Sequence, residues 1–298
     1  MGPMMVLEEL IERVGGCAVI DGGFATQLEK CGAKIDDPLW SAVCLIREPH
    51  LIKEATIPGF LSKGMSMEQA ESLLKRSVKL AVDARDSFWK VVQNVPGNDY
   101  NRALVAASIG SYGAYLADGS EYSGYYGPDI DLDKLKDFHR RRLQILVNAG
   151  PDLLAFEAIP NKIEAQACVE LLEEENIQIP SWICFSSVNG EHASSGESFK
   201  ECLDVLNKSE KVKVLTKKAI AIYPNSGEVW DGRAKRWLIY SNFGCHRQPS
   251  ECFDDEKFKT LVCRWHELGA SLIGGCCRTT PSTIKAVSKV LKDRTQAQ

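Results

Sequence analysis

Two neighbouring cysteines, Cys276 and Cys277, follow Gly274-Gly275 at the end of the apolar run Ala270 to Ile273 and precede Arg278-Thr279-Thr280-Pro281. Inside a strand, successive side chains point to opposite faces, so two adjacent thiols could not reach one metal ion. Where the strand ends the chain turns, and the two glycines relax the limits that would hold the sulfurs apart. Adjacent thiolates suit zinc, which takes soft sulfur ligands in a tetrahedral shell. The same residues also read as two packed, unreactive cysteines, since free cysteine is among the most buried residue types. The sequence leaves both readings open.

The elements that must position this pair alternate between short apolar runs and amphipathic stretches. Cys17 to Ile20 leads into Asp21-Gly22-Gly23, and Ala103 to Ile109 ends at Gly110-Ser111. Asp152 to Glu157, Trp182 to Val188 and Ala219 to Tyr223 are the next strands predicted, and Ala270 to Ile273 the last. Between them, helices are predicted from Met67 to about Gln93, from about Asp133 to Asn148, and over stretches centred on Ala167, Leu203 and Val262, where apolar residues recur at 3.6-residue spacing. Asn161 and Glu164 have the spacing of a capping box, and Pro281 suits the first position of a final helix. Such alternation implies parallel strands with helical crossovers. Polar residues gather just after the strands, at Asp21, Ser108, Ser111, Glu157, Ser186, Asn225 and Cys276. That is where (β/α)8 barrels carry their active sites, and a doubly wound sheet would place ligands there too.

Two places break the rhythm. Leu51 to Phe60 holds no convincing buried run where a second strand belongs. Lys211 to Val214 starts like a strand, yet only Leu215 to Lys218 separate it from the next, far short of a parallel crossover. Six strands and one stub are expected rather than eight.

Of the 298 residues 44% are hydrophobic and 26% charged, with a net charge of −4 and no basic block. That composition argues for a globular domain and against nucleic acid or an anionic membrane as partner. No apolar run approaches the ~18 residues of a membrane span. The N-terminus lacks a basic start and runs into Glu8 and Glu9, unlike a secretory signal. Eleven cysteines without a framework spacing fit a reducing cytosol, so a cytoplasmic location is expected. Neither G-x-G-x-x-G nor a P-loop follows a strand.

Asp21-Gly22-Gly23, Trp40-Ser41, Phe156-Glu157-Ala158, Tyr223-Pro224-Asn225-Ser226-Gly227 and Gly274-Gly275-Cys276-Cys277-Arg278 resemble the homocysteine S-methyltransferase family, most closely its plant-type, S-methylmethionine-dependent branch. The resemblance runs from about Val14 to Val290 within a single domain, residues 1–298, and implies a (β/α)8 barrel, an α/β fold. It implies zinc held by three thiolates, two of them Cys276 and Cys277, and transfer of a methyl group from S-methylmethionine or S-adenosylmethionine to homocysteine. Asp21, Trp40, Ser41 and Glu157 are implied in substrate binding; their plain alternatives are loop caps for the carboxylates and packing for Trp40 and Ser41. The family's third thiolate sits in a Gly-x-Asn-Cys turn ending the sixth strand, and no Asn-Cys pair occurs in this sequence. Residues 239–252 are unlike the family. A shortened or alternatively spliced monomer is therefore expected, incomplete at strand two and at the end of strand six. Reduced activity, or substrate binding alone, is the alternative function; selenocysteine as acceptor is another.

Overall fold

The strand–helix alternation is realised in a computed structural model that describes residues 3–33, 61, 64–98, 100–116, 118–187, 189–206, 220–226, 229–231, 236–238 and 255–296. Along the chain run α1 (Pro3–Arg13), β1 (Ala18–Val19), α2 (Phe24–Lys30), α3 (Met67–Val92), β2 (Ala106–Gly110), α4 (Tyr112–Leu116) and α5 (Leu132–Asn148). There follow β3 (Leu153–Ile159), α6 (Lys162–Glu174), β4 (Ser181–Phe185), α7 (Phe199–Leu206), β5 (Ile220–Ile222), β6 (Val229–Asp231), β7 (Arg236–Leu238), α8 (Asp255–Glu267), β8 (Ala270–Ile273) and α9 (Pro281–Gln296). Two compact units result: Met1–Asp36 with Lys218–Gln298, and Asp37–Lys217. The Leu51–Phe60 stretch, the Lys211–Val214 stub and residues 239–252 lie outside the described residues.

In the first unit, β8 is the middle strand of a parallel sheet ordered β1-β8-β5. Ala18 pairs with Leu272, and Ile273 faces Val19 on one side and Ile222 on the other. The amphipathic faces of α8 and α9 close over this sheet. Phe258, Val262, Val287 and Leu291 pack with Cys17, Ala270 and Ile273, all buried. Each of the larger side chains, Phe258, Val262, Ile273, Val287 and Leu291, contributes roughly 1.5–3 kcal/mol by leaving water. Phe258 and Trp265 meet edge to face at 5.7 Å between ring centres. Pro281 does open α9, and Thr280 and Thr283 bond reciprocally across its first turn. An antiparallel hairpin, β6 with β7, pairs Val229 with Leu238 and Asp231 with Arg236. Three-residue strands are too short for alternation to reveal, and the sequence reading missed it.

In the second unit, β2, β3 and β4 form a parallel sheet in that order. Ile109, Leu154, Phe156 and Ile159 are fully buried on or beside it, with Leu135, Leu143 and Leu171 from α5 and α6. The capping of α3 is complete: Gln69 N–H donates to Ser66 Oγ at 3.2 Å, and Ser66 N–H to Gln69 Oε1 at 2.9 Å. Strand β2 begins later than the predicted Ala103 because the Asp152 carboxylate takes the Val105 N–H at 2.8 Å, so the ladder starts only beyond it. Strand β4 stops at Phe185, short of the predicted Val188, because the chain folds back to bridge Ser187 with Ala193. The capping box at α6 is half made. Asn161 Oδ1 accepts the Glu164 N–H at 2.9 Å, but the Glu164 carboxylate turns inward to a buried network instead.

Candidate active site

Strands β1, β5 and β8 run parallel, so the loops after them emerge at one end of their sheet, and main-chain bonds knit the three together. Gly275 N–H donates to Asp21 O at 3.1 Å, Cys276 N–H to Pro224 O at 2.9 Å, and Ser226 N–H to Cys277 O at 3.1 Å. Thr279 Oγ1 accepts the Gly23 N–H at 3.1 Å, and Thr26 Oγ1 accepts the Arg278 N–H at 2.9 Å. The glycines are required by this closeness. A Cβ on Gly274 would stand 2.5 Å from Ile20 O, and one on Gly23 2.6 Å from Cys276 O. Arg278 adopts φ 65°, a left-handed turn directly after the cysteine pair. Asp21 and Cys276 are exposed and Cys277 is half-buried. Sequence and structure thus bring Asp21, Cys276 and Cys277 to one loop cluster.

The cysteine sulfurs stand 3.9 Å apart. Two sulfurs on one tetrahedral zinc, each about 2.3 Å from the metal, would be about 3.8 Å apart. The pair therefore fits two corners of such a shell. No cluster of three or more His, Cys, Asp or Glu able to hold a metal exists among the described residues, so the third corner is not filled there. Three of the other described thiols are poor nucleophiles or ligands by burial: it pushes Cys17 and Cys202 up to about 11 and Cys168 well above the ordinary range. Cys184 is half-buried.

Glu157 belongs to the second unit, near the end of β3. The register pairs Ser108 with Ala155 and Gly110 with Glu157, so Ser108 and Glu157 share a face, and the Ser108 hydroxyl donates to Glu157 Oε2. The next residue, Ala158, has φ 55°, where the register slips between Phe156 and Ile159. The bulge ends the regular ladder beside the carboxylate. A left-handed alanine costs about 1–2 kcal/mol, against about 0.5–1 kcal/mol for the extra freedom of glycine. Ala158→Gly should therefore raise stability by about 0.5–1 kcal/mol, read as a higher unfolding temperature; a lower one would mean the alanine is not strained. Trp40 and Ser41 lie outside the described residues.

One acidic residue went unnoticed in the sequence. Glu121, in a 3-10 turn at Ser120–Tyr122, keeps its Oε2 buried without a hydrogen-bond partner. Burial raises its pKa, and Asp118 adds to this, while main-chain N–H groups at Glu121 and Gly119 pull the other way. Flanked by glycine, serine and tyrosine, it reads as solvated loop, and only the fold exposes it.

Parallel strands joined by helices, with a cysteine pair just after β8 in the first unit and a carboxylate near the end of β3 in the second, define an α/β protein. The sequence model of the homocysteine S-methyltransferase family matches residues 54–217 and 209–291, and the chain belongs to that family. Homocysteine S-methyltransferase 1 of Brassica oleracea var. italica is 62% identical over 328 aligned positions, taking in 97% of this chain and 98% of the relative. The enzyme of the same name from Zea mays is 62% identical over 331 positions, taking in 98% and 99%. Since 328 positions exceed the chain's own 298 residues, at least 30 positions of the Brassica relative (328 − 298) face gaps here. The two matched pieces of the family model overlap at residues 209–217, within a stretch that lies outside the described residues. The metallated form of the homocysteine methyltransferase MmuM from Escherichia coli superposes with a TM-score of 0.73 at 32% identity, covering 93% of this chain and 96% of that one.

Proposed function

We propose that this chain transfers a methyl group from S-methylmethionine to homocysteine, giving methionine, with zinc held by Cys276 and Cys277 at the mouth of a (β/α)8 barrel. The barrel forms a single domain lacking its second strand and the end of its sixth, in a cytoplasmic monomer. The observation that carries the metal reading is the 3.9 Å separation of two sulfurs on a loop tied to its neighbours by main-chain bonds. An ordinary thiol, with a pKa near ~8.5, is mostly protonated at neutral pH. What zinc supplies when bound is stabilisation of a sulfur anion at that pH.

The chain's own residues do the rest. Asp21 and Glu157 offer carboxylates for the substrate ammonium, by charge-assisted hydrogen bonds, and Trp40 and Ser41 complete the contacts. The homocysteine sulfur lone pair forms the new S–CH3 bond as the carbon–sulfonium bond breaks, and that electron pair returns to the donor's sulfur. The leaving group is neutral methionine, so no general acid is needed. The thiol proton goes to solvent. Alignment of the two sulfurs about the methyl carbon is the remaining task.

A second reading, an impaired chain that binds substrate without turning it over, is favoured by the missing third thiolate and by the gaps against full-length relatives. Methionine formation from homocysteine and S-methylmethionine, followed as zinc is added, separates the two. Slow turnover that saturates only with excess zinc is expected. Turnover indifferent to zinc and chelator would refute the metal assignment; homocysteine binding with no turnover at any zinc level would favour the second reading.

A further inference from the structure

The loop after β2 holds a carboxylate that the proposed acceptor contacts do not use. Glu121 Oε2 is buried and unpaired, although buried polar atoms are normally satisfied. The residue is clamped from several sides. Its carbonyl accepts the Ser186 hydroxyl at 3.0 Å, just beyond β4, and its N–H lies where a Cβ on Gly113 would be only 2.5 Å away. Farther along, Gly124 O accepts from Asn161 Nδ2 at 2.9 Å, and the Tyr126 hydroxyl donates to Glu164. The main chain that carries the carboxylate is thus held near the end of β4. In the same loop, Tyr122 and Tyr125 keep 54% and 70% of their surface exposed, so aromatic groups are accessible there as well.

We propose that Glu121, with Tyr122 and Tyr125, recognises the methyl donor, a small amino acid carrying a sulfonium. The proposal rests on the methyltransferase reading above. Homocysteine carries one ammonium against one carboxylate. A sulfonium amino acid carries two cationic groups against one carboxylate, so its net positive charge calls for an extra anion. A carboxylate on a held main chain supplies that anion, and tyrosine faces attract a sulfonium through their negative π surface.

Equilibrium dialysis of the full chain with S-methylmethionine, and separately with homocysteine, tests this in the native protein, E121Q and E121D. Loss of one charge-assisted contact should weaken S-methylmethionine binding by roughly tenfold or more in E121Q, and less in E121D. Homocysteine affinity should be unchanged. Thermal unfolding of E121Q should be unchanged or higher, because an amide removes a buried charge, and so reports that the variant folds. The proposal is overturned if the native chain binds no S-methylmethionine, if E121Q binds it equally well, or if both ligands weaken together. Failure of the native chain to bind homocysteine would instead count against the methyltransferase reading.

Discussion

Serine at both Cys276 and Cys277 is expected to abolish zinc binding and to lower methionine formation by at least about 100-fold, since even partners outside the ligand shell cost 10–100-fold in metal sites. A serine hydroxyl is a far poorer zinc ligand than a thiolate at neutral pH, and the pair supplies the protein sulfurs that the first unit brings together. The substitution changes little else: Cys276 is exposed and Cys277 half-buried, so loss of packing is slight. Zinc content after dialysis and methionine formation are the two measurements. Retained metal and retained turnover in the double variant would end the metal reading.

Glu164→Ala is expected to destabilise the second unit by about 3–5 kcal/mol, the cost of leaving a buried charge without its partner. Glu164 and His139 are fully buried and Arg142 nearly so. The Glu164 carboxylate accepts the Tyr112 N–H at 2.6 Å, the Tyr126 hydroxyl, and His139 Nε2 at 2.7 Å. Arg142 Nη2 donates to His139 Nδ1 at 2.7 Å and to the Gly110 carbonyl at the end of β2, also at 2.7 Å. Because a guanidinium can only donate, His139 Nδ1 must accept and Nε2 must carry the proton. Burial lowers the His139 pKa, in keeping with this neutral ring, and desolvation pulls Arg142 down to about 10. Glu164 is therefore the anion that balances Arg142 through the imidazole. Alanine would leave that cation alone and release the Tyr112 and Tyr126 ends of the loop carrying Glu121. Chemical denaturation would read the loss. A change under about 1 kcal/mol would mean the network is not held by charge.

Much of this was legible in the residues. The cysteine pair and its glycines announce a turning strand end, and the structure explains both glycines by neighbours too close to admit a Cβ, the Ile20 main chain at Gly274 and the Thr279 side chain at Gly275. Helices α3 and α5 follow their apolar spacing almost to the residue. What stayed hidden depends on partners far apart in sequence. Ser108 meets Glu157 only through strand register, and the bulge at Ala158 falls on a residue type with no turn preference. Glu164 looks like a capping residue until the fold supplies His139, Tyr112 and Tyr126 as better partners. Glu121 becomes visible only when its surroundings close over it.

Zinc X-ray absorption on the native chain, before and after adding homocysteine, tests the central claim most directly. The expected result is two sulfur neighbours at about 2.3 Å without substrate and three with it. Three sulfurs before homocysteine is added, or a count that homocysteine does not raise, would contradict the account.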